Sequence, residues 1–155
     1  MKAVVQRVNH ASVSVNEKLI GSIDNGLLVY LGVALDDSAA DADWLAEKIA
    51  NIRIFNDSEG KMNLSINQTI NPVNGNKTGI LVISQFTLLG DARKGRRPSW
   101  GNAAPPEKAN ELYHYFIRQI QKQGILCESG EFQAHMMVTY TNDGPVTILL
   151  DSKEN

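Results

Sequence analysis

The sequence predicts an α+β domain: a curved, barrel-like β-sheet with two helices packed outside it. Three observations carry that expectation. Short apolar stretches with strand-like periodicity recur along the chain, turn residues separate them, and two longer segments repeat their apolar positions at helical spacing.

In chain order, Met1–Val8 alternates with a β period, Ala3 and Val5 sharing one face and Val4 and Val8 partly the other. Ala11–Val15 alternates as well, with Val13 and Val15 inward. Asn16-Glu17-Lys18 supplies turn chemistry before Leu19–Ile23, so these segments read as a hairpin. Asn25-Gly26 is a second turn signal. The nearly continuous apolar run Leu27–Val33 predicts a central strand. Ser38 is placed to cap a helix with the buried stripe Ala42, Leu45, Ile49 and Ile52, and Asp41 and Asp43 suit the dipole of its first turn. Residues Asn56–Lys77, rich in Asn, Gly and Ser, predict loops around short pieces. Gly79–Phe86 is a second apolar strand. Pro105-Pro106 opens a second helix reaching about Gln123, with an apolar face of Ala109, Leu112, Tyr113, Phe116 and Ile120 and with Gly124 as terminator. Two closing strands are expected near Phe132–Thr141 and Val146–Asp151, joined by a turn at Asn142-Asp143-Gly144-Pro145.

A length of 155 residues fits one domain spanning 1–155, large enough to bury a core. Hydrophobic residues at 43% and charged residues at 21% are globular values, which argues against disorder. No apolar run is long enough for a transmembrane helix, and the N-terminus is too polar and brief for a secretory signal. A single cysteine, Cys127, cannot form an internal disulfide and suits a reducing compartment, so the cytosol is expected. The formal charge of -2 does not mark a general nucleic-acid binder. Basic residues nevertheless cluster at Arg93, Lys94, Arg96 and Arg97, either as a solvated loop or as a contact for one phosphate-rich end of a ligand.

Several chemistries lack support. There is no Cys-x-x-Cys and no His-Glu-x-x-His, and His10, His114 and His135 are far apart, so no metal site is expected. No phosphate-binding glycine loop stands between a strand and a helix, and no Gly-x-Ser-x-Gly elbow occurs. Cys127 is expected to be a small buried hydrophobe rather than a nucleophile. Two segments are unusual. In Ser84-Gln85-Phe86-Thr87 a hydrophobic strand ends abruptly in polar side chains. Gly144-Pro145 lies between strands; the residues alone favour a trans turn, since the cis isomer costs about 0.5–1 kcal/mol.

These segments also carry a resemblance. Ser84-Gln85-Phe86-Thr87-Leu88 matches the SQFTL signature of D-aminoacyl-tRNA deacylases, and Asn142-Asp143-Gly144-Pro145-Val146-Thr147 matches their second signature, NxGPVT. Met1–Val8, Asn51–Phe55, Lys61–Ser65 and Lys94–Ser99 extend the likeness to about Ser152. The chain thus resembles the D-aminoacyl-tRNA (D-tyrosyl-tRNA) deacylase family.

The resemblance implies a homodimer in which Gly144-Pro145 is cis and enters the partner's pocket, beside catalytic residues Ser84, Gln85, Phe86 and Thr87. Arg7 would hold the Gly-Pro loop, and Phe132 and Met136 would line a pocket for the terminal adenosine. Gln133 departs from the pattern, since relatives often have glycine there. The partner implied is the acceptor end of an aminoacyl-tRNA, whose phosphates would meet Arg93, Lys94, Arg96 and Arg97; no cofactor or metal is implied. The ester is already activated, so the expected mechanism is hydrolysis assisted by the terminal 2′-hydroxyl. Backbone N–H groups of Phe86 and Thr87 would stabilise the oxyanion, and Thr87 would be mainly structural, because sequence places no base near it. The carbonyls of Gly144 and Pro145 would grip the substrate ammonium and reject L-amino acids by collision, with glycyl-tRNA leaking through. Two rivals remain open. One is a non-catalytic nucleic-acid-binding module, a role associated with a longer relative bearing a C-terminal tail that this chain, stopping at Asn155, lacks. The other is a threonine-nucleophile esterase of small molecules.

Overall fold

The computed structural model describes residues 1–69, 76–93 and 95–154. Among the described residues, eight strands run in the order β1 (Lys2–Val15), β2 (Lys18–Ile23), β3 (Gly26–Gly32), β4 (Phe55–Asn56), β5 (Met62–Leu64), β6 (Gly79–Ser84), β7 (Leu126–Ser129) and β8 (Met137–Asp151). Helix α1 (Ala39–Asn51) follows β3, the one-turn α2 (Ile66–Thr69) follows β5, and α3 (Pro106–Lys122) precedes β7. A 3-10 turn, Phe86–Leu89, follows β6.

The two N-terminal segments expected separately form one long strand, β1, which pairs antiparallel with β3 through Lys2–Val8 and with β2 through Ala11–Val15. The hairpin turn is where expected: Asn16 and Glu17 take φ of 49° and 63°, the left-handed pair that a tight two-residue turn requires. Along its other edge β1 pairs with β8, while β3, β6 and β7 continue the sheet in parallel. The sheet curls until its ends approach, a Cβ on Gly21 of β2 falling 3.0 Å from the Ser129 carbonyl of β7. The result is a nearly closed barrel.

Two hydrophobic clusters explain the apolar runs. Alternate residues Leu27, Val29 and Leu31, with Ile80 and Val82, face the helices and meet Leu45, Ile49, Phe116 and Ile120. The residues between them, Leu28, Leu81 and Ile83, face the inside of the curl with Val8, Ala11, Val13 and Ile23. Strands buried on both faces carry no polar alternation. Helix α1 begins as its sequence indicates, with the Asp41 carboxylate accepting from the Ser38 N–H at 2.8 Å. Ile52, expected on the helical stripe, lies one residue beyond the helix and packs half-buried on the core. Helix α3 opens at Pro106, and Gly124 follows it with φ of 80°.

Three expectations need correction. The strand expected over Gly79–Phe86 ends at Ser84: the Gln85 N–H makes the last ladder bond, to the Leu31 carbonyl, and the 3-10 turn then begins at Phe86. Phe132–Met136 is not strand. β8 is a single strand rather than two, and residues 143–146 form a bulge within it. β7 was not anticipated. Residues 56–77 hold the short pieces β5 and α2 between loops, as expected; the part at 70–75 lies outside the described residues.

Candidate functional site

A cavity of about 620 Å3 opens where β6 ends. Ser84, Gln85 and Phe86 form one wall, so the polar strand end singled out in the sequence faces a real volume. The segment is drawn tight against β3. Its Gln85 carbonyl lies 3.0 Å from where a Cβ on Gly32 would stand, and Leu89 Cδ2 lies 2.5 Å from it. Only the absence of a side chain at Gly32 lets the 3-10 turn close. Starting such a turn also leaves its first N–H groups without intrahelical partners, and neither Phe86 nor Thr87 donates to a backbone carbonyl outside the turn, among the described residues. Thr87 itself is exposed and does not line the cavity; its hydroxyl accepts from the Gln85 amide.

The opposite wall is the Phe132–Met136 segment, which brings Phe132 and Met136 to the cavity. Gln133, which the resemblance already sets beside this wall, joins them, as does His135, which the sequence does not mark. Gln133 has φ of 63°, a conformation that favours glycine, and it keeps a side chain at the rim. Tyr113 of α3 forms the floor. Its hydroxyl donates to the Val82 carbonyl at 2.8 Å, its ring lies 5.9 Å from that of Phe132, and burial pushes its ionisation well above the usual tyrosine range. The helical periodicity had marked Tyr113 as apolar, which conceals a residue with one polar end. Cys127 is on β7, away from the cavity. Burial, helped by Glu128, raises its thiol to about 12, which removes it as a nucleophile near neutral pH.

The second motif is elsewhere on the chain. Register between β1 and β8 runs Gln6 to Thr147 and then Val8 to Asn142, so residues 143–146 bulge out opposite Arg7 alone. Asn142 clamps the base of the bulge: its amide donates to both the Arg7 and the Val146 carbonyls, each at 3.0 Å. Arg7 is buried, donates from Nη1 to the Ile54 carbonyl at 2.6 Å, and holds Nε 2.7 Å from the Asp143 carboxylate. That N–H is not aligned on an acceptor, so the Asp143 contact is an ion pair rather than a directed hydrogen bond. Gly144 and Pro145 are exposed and joined by a cis bond, against the trans isomer that the residues alone favoured and in line with the resemblance. Neither lines the cavity of its own chain. Asn142 was missed as a clamp because its partners are distant in sequence or hidden in the backbone.

The basic loop is closed at its base by two hydrogen bonds between Asp91 and Ser99. Arg93 is engaged by Asp91 through Nη2 at 2.6 Å and Nε at 2.9 Å, whereas Arg96 and Arg97 are exposed on the loop. Lys94 lies outside the described residues.

Fold and site together define a small curled-sheet protein whose strand end meets an apolar-walled cavity with backbone donors. The chain belongs to the D-Tyr-tRNA(Tyr) deacylase family, whose pattern matches residues 4–151. It is 56% identical to a D-aminoacyl-tRNA deacylase of Thermosipho melanesiensis, over 99% of both chains. It is 53% identical to one of Clostridioides difficile, over 100% of this chain and 99% of that one. Among solved structures it is similar to the c-Myc DNA Unwinding Element Binding Protein, with a TM-score of 0.87, 39% identity, and coverage of 97% of this chain and 98% of that one. A probable eukaryotic D-amino acid tRNA deacylase shares the fold at 17% identity, with a TM-score of 0.80 over 96% and 97% of the two chains.

Proposed function

We infer that this chain is an ester hydrolase that frees D-amino acids from D-aminoacyl-tRNA, a chiral proofreading step in translation. The observation that carries the reading is the meeting of Ser84-Gln85-Phe86 with Phe132 and Met136 around one cavity, in a chain that matches deacylases over nearly its whole length. The ester carbonyl would lie at the strand end and the terminal adenosine between Phe132 and Met136. Backbone N–H groups of Phe86 and Thr87 then stabilise the tetrahedral oxyanion; one such donor is worth about 2.7–4 kcal/mol in a dry site. The neighbouring 2′-hydroxyl of the substrate assists water attack, since Thr87 has a glutamine amide rather than a base at its hydroxyl.

Chirality belongs to the bulge. Gly144 and Pro145 are exposed, firmly based and outside their own cavity, as expected of groups donated to a second subunit in a homodimer. Their carbonyls hold the substrate ammonium, and an inverted α-carbon swings its side chain into the peptide wall. Ten-thousandfold discrimination needs about 5.5 kcal/mol, within reach of a clash combined with a lost charged hydrogen bond. Glycine has nothing to collide, so glycyl-tRNA is also a substrate. Arg96 and Arg97 meet acceptor-end phosphates, with Arg93 shared with Asp91. The enzyme acts in the cytoplasm and needs no cofactor; no described helix is long and apolar enough to cross a membrane.

The test is a deacylation assay on matched D- and L-tyrosyl-tRNA, with glycyl-tRNA alongside and with and without chelator. Rapid loss of the D-ester and persistence of the L-ester is expected; equal rates would sink the chirality account. The likeness to a DNA unwinding element binding protein supports a second reading, nucleic-acid binding without turnover, which the same assay separates.

A further inference from the structure

Phe86, on the wall of the cavity, forms an aromatic pair with Trp100, with ring centroids 5.2 Å apart and planes at 71°. Both are unusually open for such large side chains, at 57% and 41% exposure. The two rings arrive by separate routes. Phe86 begins the 3-10 turn, while Trp100 directly follows Ser99, whose double hydrogen bond to Asp91 closes the basic loop. Trp100 is also seated, because its Cζ3 lies 2.5 Å from where a Cβ on Gly90 would be. Phe86 therefore links the cavity to Trp100, and Trp100 directly follows in sequence the loop bearing the exposed Arg96 and Arg97.

An open, fixed aromatic surface beside exposed cations complements a single-stranded nucleic acid, which offers an apolar π-face and a phosphate in each repeat. An edge-to-face pair also leaves ring faces uncovered, as a stacking platform requires. We propose that Phe86 and Trp100 form a stacking platform for the nucleobase preceding the esterified nucleotide at the RNA 3′ end, while Arg96 and Arg97 take the adjoining phosphates. The proposal rests on the aminoacyl-tRNA reading above. It extends that reading from the terminal adenosine, held in the cavity, to the next residue of the strand. Trp100 is then a binding residue that contributes to affinity for RNA and not to the chirality of the amino acid.

Trp100 provides its own reporter. The sequence has two tryptophans, so Trp44→Phe leaves Trp100 as the sole one. The probe is a short RNA hairpin ending in CCA, compared with the same hairpin carrying an abasic penultimate nucleotide. The expected result is quenching of Trp100 fluorescence by the intact RNA and roughly 5- to 150-fold weaker binding of the abasic one. Trp100→Ala, followed by fluorescence anisotropy of labelled RNA, should weaken the intact probe and leave little difference between the two RNAs. Trp100→Phe should restore the difference, which a merely structural role would not require. Equal weakening of both RNAs by Trp100→Ala would overturn the proposal, as would failure of the intact RNA to bind. Quenching that follows protein concentration without RNA would also overturn it, since a second copy would then cover the pair. Cleavage of D-aminoacyl-tRNA by a protein indifferent to the abasic change would leave the deacylase reading intact and remove the platform alone.

Discussion

Arg7 Nε lies 2.7 Å from Asp143 Oδ2, although 136 positions separate the two residues in sequence, and Nη1 of the same guanidinium donates to the Ile54 carbonyl at 2.6 Å. One buried cation thus ties the exposed Gly144-Pro145 bulge to the segment after α1. Lysine has one donor centre and cannot span both partners. Arg7→Lys and Arg7→Met should each cost about 1–3 kcal/mol of stability, the usual penalty for a charge-assisted bond lost at a buried carbonyl. Chemical denaturation reads the stability. D-aminoacyl-tRNA turnover should fall further than stability does, and a variant that kept full turnover would detach Arg7 from the bulge.

Gly144 offers a separate test of the bulge. Its φ of 114° is closed to side chains, and a Cβ would fall 2.9 Å from Val146 Cγ2 and 3.0 Å from Arg7 Nη2. Gly144→Ala should therefore cost about 1–3 kcal/mol through backbone strain and displace Arg7 as well. The deacylation assay should show a larger loss with D-tyrosyl-tRNA than the stability change explains. Unchanged selectivity between D and L esters would assign chirality to another part of the site.

Thr87→Ala should retain turnover within about tenfold of the parent, because its hydroxyl has no base beside it and is held by the Gln85 amide. Single-turnover kinetics make the comparison. Abolished turnover with unchanged substrate affinity would return Thr87 as the nucleophile, and mass spectrometry would then find an acyl-threonine.

Stability should weaken in acid through Asp41. Burial alone would raise its carboxyl, but hydrogen bonds from Lys153, Ser152 and Ser38 together outweigh it and hold the group well below the usual carboxylate range. A depressed folded value stabilises the protein fully above the unfolded value of 3.8, and the contribution is lost as pH falls from there towards the folded value. Urea midpoints measured from pH 6 down to 2 should show a steeper fall for the parent than for Asp41→Asn. Parallel curves would remove Asp41 from the acid response.

Replacing Arg96 and Arg97 together by Gln should raise KM for D-aminoacyl-tRNA and flatten its salt dependence by up to about 1.4 in log–log slope if each met one phosphate of a single strand. The D to L ratio should not change. An unaltered salt slope would mark the loop as solvated surface.

Much of the architecture was legible because burial leaves a local signature. Leu27–Val33 and Gly79–Ser84 are covered on both faces, so they read as unbroken apolar runs, and Ser38, Pro106 and Gly124 punctuate the two long helices. β7 was not legible. Leu-Cys-Glu-Ser has neither length nor alternation, and its strand character comes from pairing with β6. The break expected at Asn142–Pro145 followed from residues that do favour turns. What keeps the strand continuous is the grip of Asn142 on Arg7, a contact between opposite ends of the chain. The cavity was half visible: Ser84 and Gln85 stood out as polar residues closing an apolar strand, whereas His135 and Tyr113 are gathered only by the fold.

Because the exposed glycine and proline sit on an excursion from a continuous strand, β8 keeps its phase on both sides of them. Dropping one residue between Val146 and Asp151 would turn Ile148 and Leu150 from the core towards water. An addition within the excursion, beyond the Asn142 clamp, would leave every rung of the ladder in place. The excursion can therefore be lengthened or remodelled without retuning the barrel, which makes it the natural position for changing what the exposed glycine and proline present while keeping the same scaffold.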